Sequence, residues 1–275
     1  MKKRSRFFIP SIADIIWPPH CFGCGDLIKL TPEQYKSRYS LALCTKCADK
    51  FDVERRSLCP RCDKEHIKCH CRPVSMPGNL SSCIHVSRYT AWDSVTDGIV
   101  LAAKGSNNKY LYELLANSAV KAIRSRVPDY RDAVVTAIPR DLSAIRKTGV
   151  DQARLAASMA AKKLGICYVD ALVRLNAKEQ KGLSAKARLA NAYSAYDINK
   201  KALPSVAGKS VILYDDVLTT GATVSAGSDV LFKMGVSKVF VLAFAMRYND
   251  KLVDMRRSDI LDEFRDYDTS DELSK

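Results

Sequence analysis

The sequence predicts an α/β protein, a doubly wound parallel sheet preceded by a small cysteine-rich module. Three observations carry this expectation. Apolar-rich runs at 132–138, 211–213 and 238–246 alternate with longer segments of helical periodicity, the pattern of strands covered on both faces and joined by crossover helices. Nine of the ten cysteines lie before residue 84. The run Val211–Thr223 (VILYDDVLTTGAT) passes from an apolar strand through two adjacent acids and a hydroxyl-rich loop into a helix.

The elements follow in chain order. The N-terminus (MKKRSRFFIPSIADIIWPP) has a basic head and an apolar patch, but Pro10 and Asp14 interrupt the patch and no small-residue cleavage site follows. It reads as a short helix rather than a signal peptide. Ser82–Tyr89 reads as a strand. Asp93–Lys104 reads as a helix with Val95, Ile99, Val100 and Ala103 inward. A second helix, Ser106–Arg126, carries Leu111, Leu114, Leu115, Ala119, Ala122 and Ile123 at helical spacing, with Ser106 or Asn107 as its cap. Asp132–Ile138 is a buried strand ending at Pro139-Arg140. Asp151–Gly165 is a helix with Leu155, Met159 and Leu164 inward and Lys162 and Lys163 outward. Residues 174–191 are polar and basic with little periodicity, which predicts a long mobile loop. The 211–213 strand precedes a helix over Ala222–Met234 that buries Val224, Val230 and Leu231. A last strand spans Lys238–Met246. The final 28 residues are polar and charged, as expected of a frayed or disordered tail. The expected organisation is an N-terminal Cys module over 1–80, an α/β domain over 81–247 and a tail over 248–275.

With 275 residues and a net charge of +14, the chain has room for one large domain and a small one, and it favours polyanionic ligands. The tail is acidic, with 5 basic and 9 acidic side chains after residue 247, so the positive charge belongs to the body. No stretch reaches the roughly 18–20 apolar residues that would span a bilayer. No membrane partner and a cytoplasmic location are expected.

Eight cysteines form pairs: Cys21-x-x-Cys24, Cys44-x-x-Cys47, Cys59-x-x-Cys62 and Cys69-x-Cys71. This spacing lets one tetrahedral ion take two thiolates from each knuckle, as in a zinc ribbon, so one or two structural Zn²⁺ ions are expected. A disulfide framework fits poorly in a chain without a secretory signal. Sequential pairing (21/24/44/47 and 59/62/69/71) is simplest, and interleaved pairing stays open. His20, His66 and His70 beside the knuckles are left out as bystanders. Cys83 and Cys167 are read as small core residues. Arg55, Arg56, Arg61, Lys64 and Lys68 cluster near the third and fourth pairs. They suit single-stranded nucleic acid or protein partners, or merely a solvated face.

A strand that delivers Asp215 and Asp216 to its end, directly before a hydroxyl-rich helix N-terminus, can bind a sugar and a phosphate together. Carboxylates suit hydroxyls, while loop N–H groups and the helix dipole suit a phosphate. The run resembles the 5-phosphoribosyl-1-pyrophosphate (PRPP) signature of type I phosphoribosyltransferases. The resemblance implies that Asp215 and Asp216 accept hydrogen bonds from the ribose hydroxyls and favour positive charge on the sugar. It also implies that Thr219, Thr220, Gly221, Ala222 and Thr223 wrap the 5′-phosphate.

The layout over roughly residues 10–247 resembles the ComF family, the amidophosphoribosyltransferase-like competence proteins. The ordered matches are Cys knuckles, Lys104-Gly105, Ile138-Pro139, Arg146-x-x-Gly149-x-x-Gln152, then Arg174, Gln180, Leu183, Arg188 and Asn191, then the PRPP signature. Three positions depart from the family pattern. Ile138-Pro139-Arg140 replaces Pro-Val-Pro, Gly149-Val150-Asp151-Gln152 replaces Gly-Phe-Asn-Gln, and Ala177 replaces a threonine.

The resemblance implies a type I phosphoribosyltransferase fold and a pyrophosphate loop over 138–149, with Arg140, Arg146 and Lys104 neutralising the leaving group. It also implies a flexible flap carrying Gln180 and Arg188. The activity implied is Mg²⁺-dependent transfer of ribose-5-phosphate from PRPP to a nitrogen nucleophile. The alternatives are a non-enzymatic PRPP or nucleotide sensor that binds single-stranded DNA in DNA uptake, and a nucleotide-modifying effector of a defence or toxin system.

Overall fold

A computed structural model describes residues 12–36, 39, 41–73, 76, 78–90, 94–175 and 195–248. Ala177, Gln180, Leu183, Arg188 and Asn191 lie outside the described residues, as do the N-terminal basic head and the tail after residue 248.

The helices are α1 (Ile12–Ile16), α2 (Pro32–Lys36), α3 (Thr45–Arg56), α4 (Val95–Ala103), α5 (Lys109–Arg126), α6 (Leu142–Thr148), α7 (Gln152–Leu164), α8 (Leu203–Val206) and α9 (Ala222–Lys233). The strands are β1 (Ser82–Arg88), β2 (Val134–Ala137), β3 (Leu172–Arg174), β4 (Tyr196–Ile198), β5 (Ser210–Leu218) and β6 (Lys238–Met246). β1, β6, β5 and β2, in that order, form one parallel sheet. β3 and β4 form a separate antiparallel pair.

The sheet is covered on both faces, as its apolar runs require. Ile212, Tyr214, Leu242 and Phe244 face the layer of α4, α5 and α7. The alternate residues Val211, Leu213, Val241 and Ala243 face α9 and the second half of the Cys-rich region. Asn108 caps α5 by accepting from the Tyr110 N–H, one residue beyond the expected caps. The helix expected over 151–165 is present as α7, but it turns a different face inward. Ala153, Ala156, Ala157, Ala160 and Ala161 are buried, while Leu155, Met159 and Leu164 are half-buried at its margin. The alanine stripe has the same helical period as the large residues, and its small side chains let α7 approach α5 closely. Cys83 is buried as expected, whereas Cys167 is exposed. Residue 167 lies on an edge segment, where its carbonyl accepts from the Val135 N–H, so its side chain points away from the core.

The Cys-rich region does not fold apart from the sheet. Phe51 of α3 is fully buried and stacks on Phe244 of β6, with ring centroids 5.9 Å apart. Burying such a ring is worth about 1.5–3 kcal/mol. Glu54 accepts from the N–H groups of Val95 and Thr96, so α3 helps cap α4. Among the basic residues expected to form a partner face, Arg55 bonds the Tyr39 hydroxyl, Arg61 bonds the Arg72 carbonyl and Lys68 pairs with Glu65.

Three buried polar side chains tie the region to β1 and to the end of β6. His66 Nδ1 lies 3.3 Å from Nε2 of His85 on β1, and that nitrogen lies 2.9 Å from the Tyr248 hydroxyl just past β6. His85 Nδ1 has no partner among the described residues, which favours the tautomer protonated on Nε2. Tyr248 then accepts from His85 and donates toward Cys69.

Burial holds the His66 ring down to about 4, helped by the Arg88 charge, and holds His85 down to about 3. Both fold neutral. A lowered histidine contributes stability above its unfolded value near 6.5, and that stability is lost as pH falls toward these values. The melting temperature should therefore drop between neutral pH and about pH 4.5. His85→Gln, which keeps a donor but does not titrate, should flatten the decline in a scanning-calorimetry series; an unchanged slope would dissociate it from His85.

Candidate functional site

β5 carries the acids, and the register of its neighbours exposes them. The expected strand end at Asp215 is true on one side only. Toward β6 the pairing continues to Leu218, whereas β2 stops at Ala137 opposite Tyr214. Beyond that stop the flank of β5 is open, and Asp215 and Asp216 look into a cleft of about 220 Å³ at the C-terminal ends of β2 and β5. In parallel α/β sheets ligands bind at such strand ends. The walls of the cleft also carry Pro139, Arg140, Gln152, Arg174, Tyr196 and Thr223.

The two carboxylates are half-buried and adjacent. Burial, and next the Asp216 charge beside it, raises the Asp215 carboxyl well above the ordinary carboxylate range. One Asp215 oxygen accepts from the Asp216 N–H at 2.9 Å. Asp216 accepts from the Val217 N–H at 2.7 Å and from Gln152 Nε2 at 3.1 Å. Gln152 in turn accepts from Arg140 Nη1 at 2.6 Å. The same Arg140 nitrogen donates to Thr148 Oγ1 and the Val150 carbonyl. The chain Arg140–Gln152–Asp216 therefore orients one of the two acids.

The loop after β5 brings hydroxyls and a glycine to the start of a helix. Gly221 has φ +85 and is buried, and it leads directly into α9. Thr219 and Thr220 are exposed, Ala222 and Thr223 are half-buried, and Thr220 Oγ1 accepts from the Ala222 N–H. A helix N-terminus with unpaired N–H groups and hydroxyls beside it favours phosphate.

The residues expected around the leaving group are only partly together. Arg140 lines the cleft, with its guanidinium turned to Gln152 and the loop before α7. Arg146 is exposed on α6, and Lys104 is exposed at the end of α4; neither side chain lines the cleft. The Lys104 carbonyl, at 3.4 Å, accepts from Arg140. Gln180 and Arg188 lie outside the described residues.

Gln152 and Tyr196 line the cleft without a role that the sequence predicts. Gln152 stood in a matched pattern, and its contact with Asp216 spans 64 residues of chain, beyond any local signal. Tyr196 pairs with Arg174 across the β3–β4 ladder, where the Arg174 guanidinium bonds its hydroxyl at 3.0 Å and covers its ring. This small hairpin brackets the segment that was expected to be one loop.

The eight paired cysteines gather into two groups, Cys21/Cys24/Cys44/Cys47 and Cys59/Cys62/Cys69/Cys71, with all sulfurs of a group within 4.8 Å of one another. The pairing is thus sequential. Zn–S bonds of about 2.3 Å in a tetrahedron place sulfurs about 3.8 Å apart. Sulfur separations of 3.9 Å (Cys24–Cys44), 4.0 Å (Cys59–Cys71) and 3.6 Å (Cys62–Cys69) fit that geometry. Burial opposes ionisation of Cys59, but the Tyr248 hydroxyl and the Arg61 N–H bring its thiol down to about 7. Burial and the crowded neighbours push Cys47 and Cys71 up instead. Four such thiols can ionise together only around a cation, so both groups could hold zinc. No histidine is among these ligand sets.

Among known proteins, the chain is 26% identical over 225 residues to competence protein F of Haemophilus influenzae, covering 74% of this chain and 96% of that protein. The resemblance to the ComF family thus extends beyond the motifs. No family model matches the chain. Similar solved structures include an adenine phosphoribosyltransferase from Saccharomyces cerevisiae, 19% identical, covering 52% of this chain and 71% of that one, with a TM-score of 0.35. Another is the adenine phosphoribosyltransferase of Thermoanaerobacter pseudethanolicus, 17% identical, covering 57% and 88%, with a TM-score of 0.34.

Proposed function

We propose that this chain binds PRPP and transfers its ribose-5-phosphate to a nitrogen nucleophile, releasing pyrophosphate. The observation that carries the reading is the convergence of Asp215, Asp216, Arg140 and Thr223 on one cleft at the strand ends. In this reading the two carboxylates accept hydrogen bonds from the ribose 2′- and 3′-hydroxyls. Their charge also favours the positive charge that develops on the sugar as the leaving group departs. Gln152 holds the Asp216 carboxylate in orientation, and Arg140 braces Gln152. The N–H groups at the start of α9, with the Thr219, Thr220 and Thr223 hydroxyls, hold the 5′-phosphate. Arg140 supplies positive potential on the pyrophosphate side.

The half-buried carboxylate oxygens suit a hard cation. Bound Mg²⁺, held by the substrate oxygens near Asp215 and Asp216, would neutralise charge on the pyrophosphate. The nitrogen acceptor stays unassigned.

Titration calorimetry of the full-length protein with PRPP and magnesium tests the reading. A binding heat is expected, with pyrophosphate release when a panel of purine and pyrimidine bases is added. Well-folded protein that gives no heat would overturn it.

A second reading has its own support. The curated relative is a competence protein, and the Arg140 guanidinium is spent on Gln152, Thr148 and Val150. A PRPP sensor acting in competence would show PRPP-dependent thermal stabilisation without turnover. If it also held single-stranded DNA, affinity would fall steeply with salt.

A further inference from the structure

Behind the phosphate-type loop lies part of the Cys-rich region. A Cβ placed on Gly221 would meet Met76 Cγ at 2.6 Å and Pro73 Cβ at 2.9 Å. These are a mid-chain carbon and a ring carbon, neither free to swing aside. Met76 is only 5% exposed and belongs to the same packed cluster as Leu218 and Val224, which flank the loop on β5 and α9. That cluster also contains Cys59 and Cys69 of the second sulfur group.

Cys71, Arg72 and Pro73 are tied to the second cysteine cluster and to Met76, Gly78 and Leu80. Cys71 is one of the four clustered thiols. Arg72 donates to the Gly78 and Leu80 carbonyls at 3.3 and 2.7 Å, and the Met76 N–H donates to the Pro73 carbonyl at 3.2 Å. A strap of Pro73 and Met76, anchored by the second cysteine cluster, therefore packs against Gly221, two residues before the cleft-lining Thr223.

We propose that Pro73 and Met76 are positioning residues for the 219–223 loop: they clamp Gly221 in its left-handed conformation, so that the loop N–H groups converge on the phosphate of the bound sugar phosphate. The proposal rests on the PRPP-binding reading for its ligand, and on packing alone for the clamp. It gives the fused Cys module a direct function. The backbone of Gly221 can adopt several conformations, and only a wall behind it selects one. A side chain at position 221 would close the gap that Met76 fills, so glycine and strap are complementary. Removing that wall leaves the loop room to shift, and a misplacement of about 1 Å in a positioned group can cost on the order of 100-fold.

The test is a graded series at residue 76 in the full-length protein: Met76→Leu, Met76→Val and Met76→Ala, each matched for metal content and folding. Two readings are taken. One is PRPP affinity with magnesium by calorimetry. The other is amide hydrogen exchange of residues 219–223 without ligand. Met76→Ala should weaken PRPP about tenfold or more and speed exchange across the loop, while Met76→Leu, which conserves volume, should restore both. A residue that merely fills the core would lower the melting temperature and leave the affinity of the folded variant unchanged. Unchanged affinity in folded Met76→Ala overturns the proposal whatever the exchange does. If Met76→Ala does not fold, Met76→Val is read by the same criteria. If the parent protein itself gives no heat with PRPP, the transferase reading falls, and exchange alone then decides the clamp: faster exchange in the truncated variant supports it, unchanged exchange overturns it.

Discussion

Asp216→Asn should remove measurable pyrophosphate release and weaken PRPP binding by roughly 10- to 100-fold. Hydrogen bonds to a charged acceptor contribute about 1.5–3 kcal/mol each, and a neutral amide returns only part of that. Loss of negative charge where the sugar becomes positive adds to the cost, on the order of 100- to 1,000-fold in rate. The amide also disturbs the partner Gln152, whose Nε2 donates to this carboxylate.

Asp215→Asn makes a sharper test, because the effects on stability and function should have opposite signs. Burial and the neighbouring charge raise the Asp215 carboxyl. A raised carboxyl contributes stability below its unfolded value and loses it as pH climbs through the folded one, so the charged form of Asp215 is a strain on the fold. Asparagine carries no such charge. The variant should melt higher than the parent and bind PRPP worse, a pattern expected where a site is held for function at a cost to stability. Equal PRPP heats for parent, Asp215→Asn and Asp216→Asn would exclude the cleft as the PRPP site.

Stripping the metal should have the largest effect on the fold itself. Structural zinc contributes roughly 10–16 kcal/mol of apparent folding free energy in small zinc-binding peptides near neutral pH. The two sulfur groups predict two ions per chain. Chelation should unfold the region around both, and the melting temperature should fall steeply, followed by scanning calorimetry alongside metal analysis. The two sites should differ in reach. Gly23 of the first knuckle abuts α4, where a Cβ on Gly98 would meet the Phe22 carbonyl oxygen at 2.5 Å. Cys24→Ser should therefore loosen the α3–α4 side. The second group shares its core with Leu218 and Val224 on either side of the 219–223 loop, so under the proposed function Cys69→Ser should weaken PRPP binding as well. A folded preparation that is free of metal would contradict the assignment of both sites.

Much of the local structure was legible in the residues. The strand Lys238–Met246 runs where its apolar stretch predicts, and α4 starts just after Ser94 and buries Val95, Ile99, Val100 and Ala103. Spacing of one or two residues between thiols sufficed to nominate all eight clustered cysteines, because a knuckle is a local turn. The placement of Asp215, Asp216 and Gly221 between strand and helix was legible for the same reason: acids, loop and helix start are contiguous in sequence.

What depended on the tertiary structure was every relation between distant segments. Which cysteines cluster, which face of α7 is inward, and where β5 loses its neighbour are settled by packing, since local periodicity offers two answers in each case. Gln152 reaches Asp216, Tyr196 reaches Arg174, and His66 meets His85 and Tyr248 only after the sheet has assembled. The glycine in the loop was foreseeable as a flexible point; that Met76 and Pro73 stand behind it was not. Contacts between chain segments far apart in sequence leave no periodic trace, because they arise from shape and burial rather than from the conformational preferences of neighbouring residues.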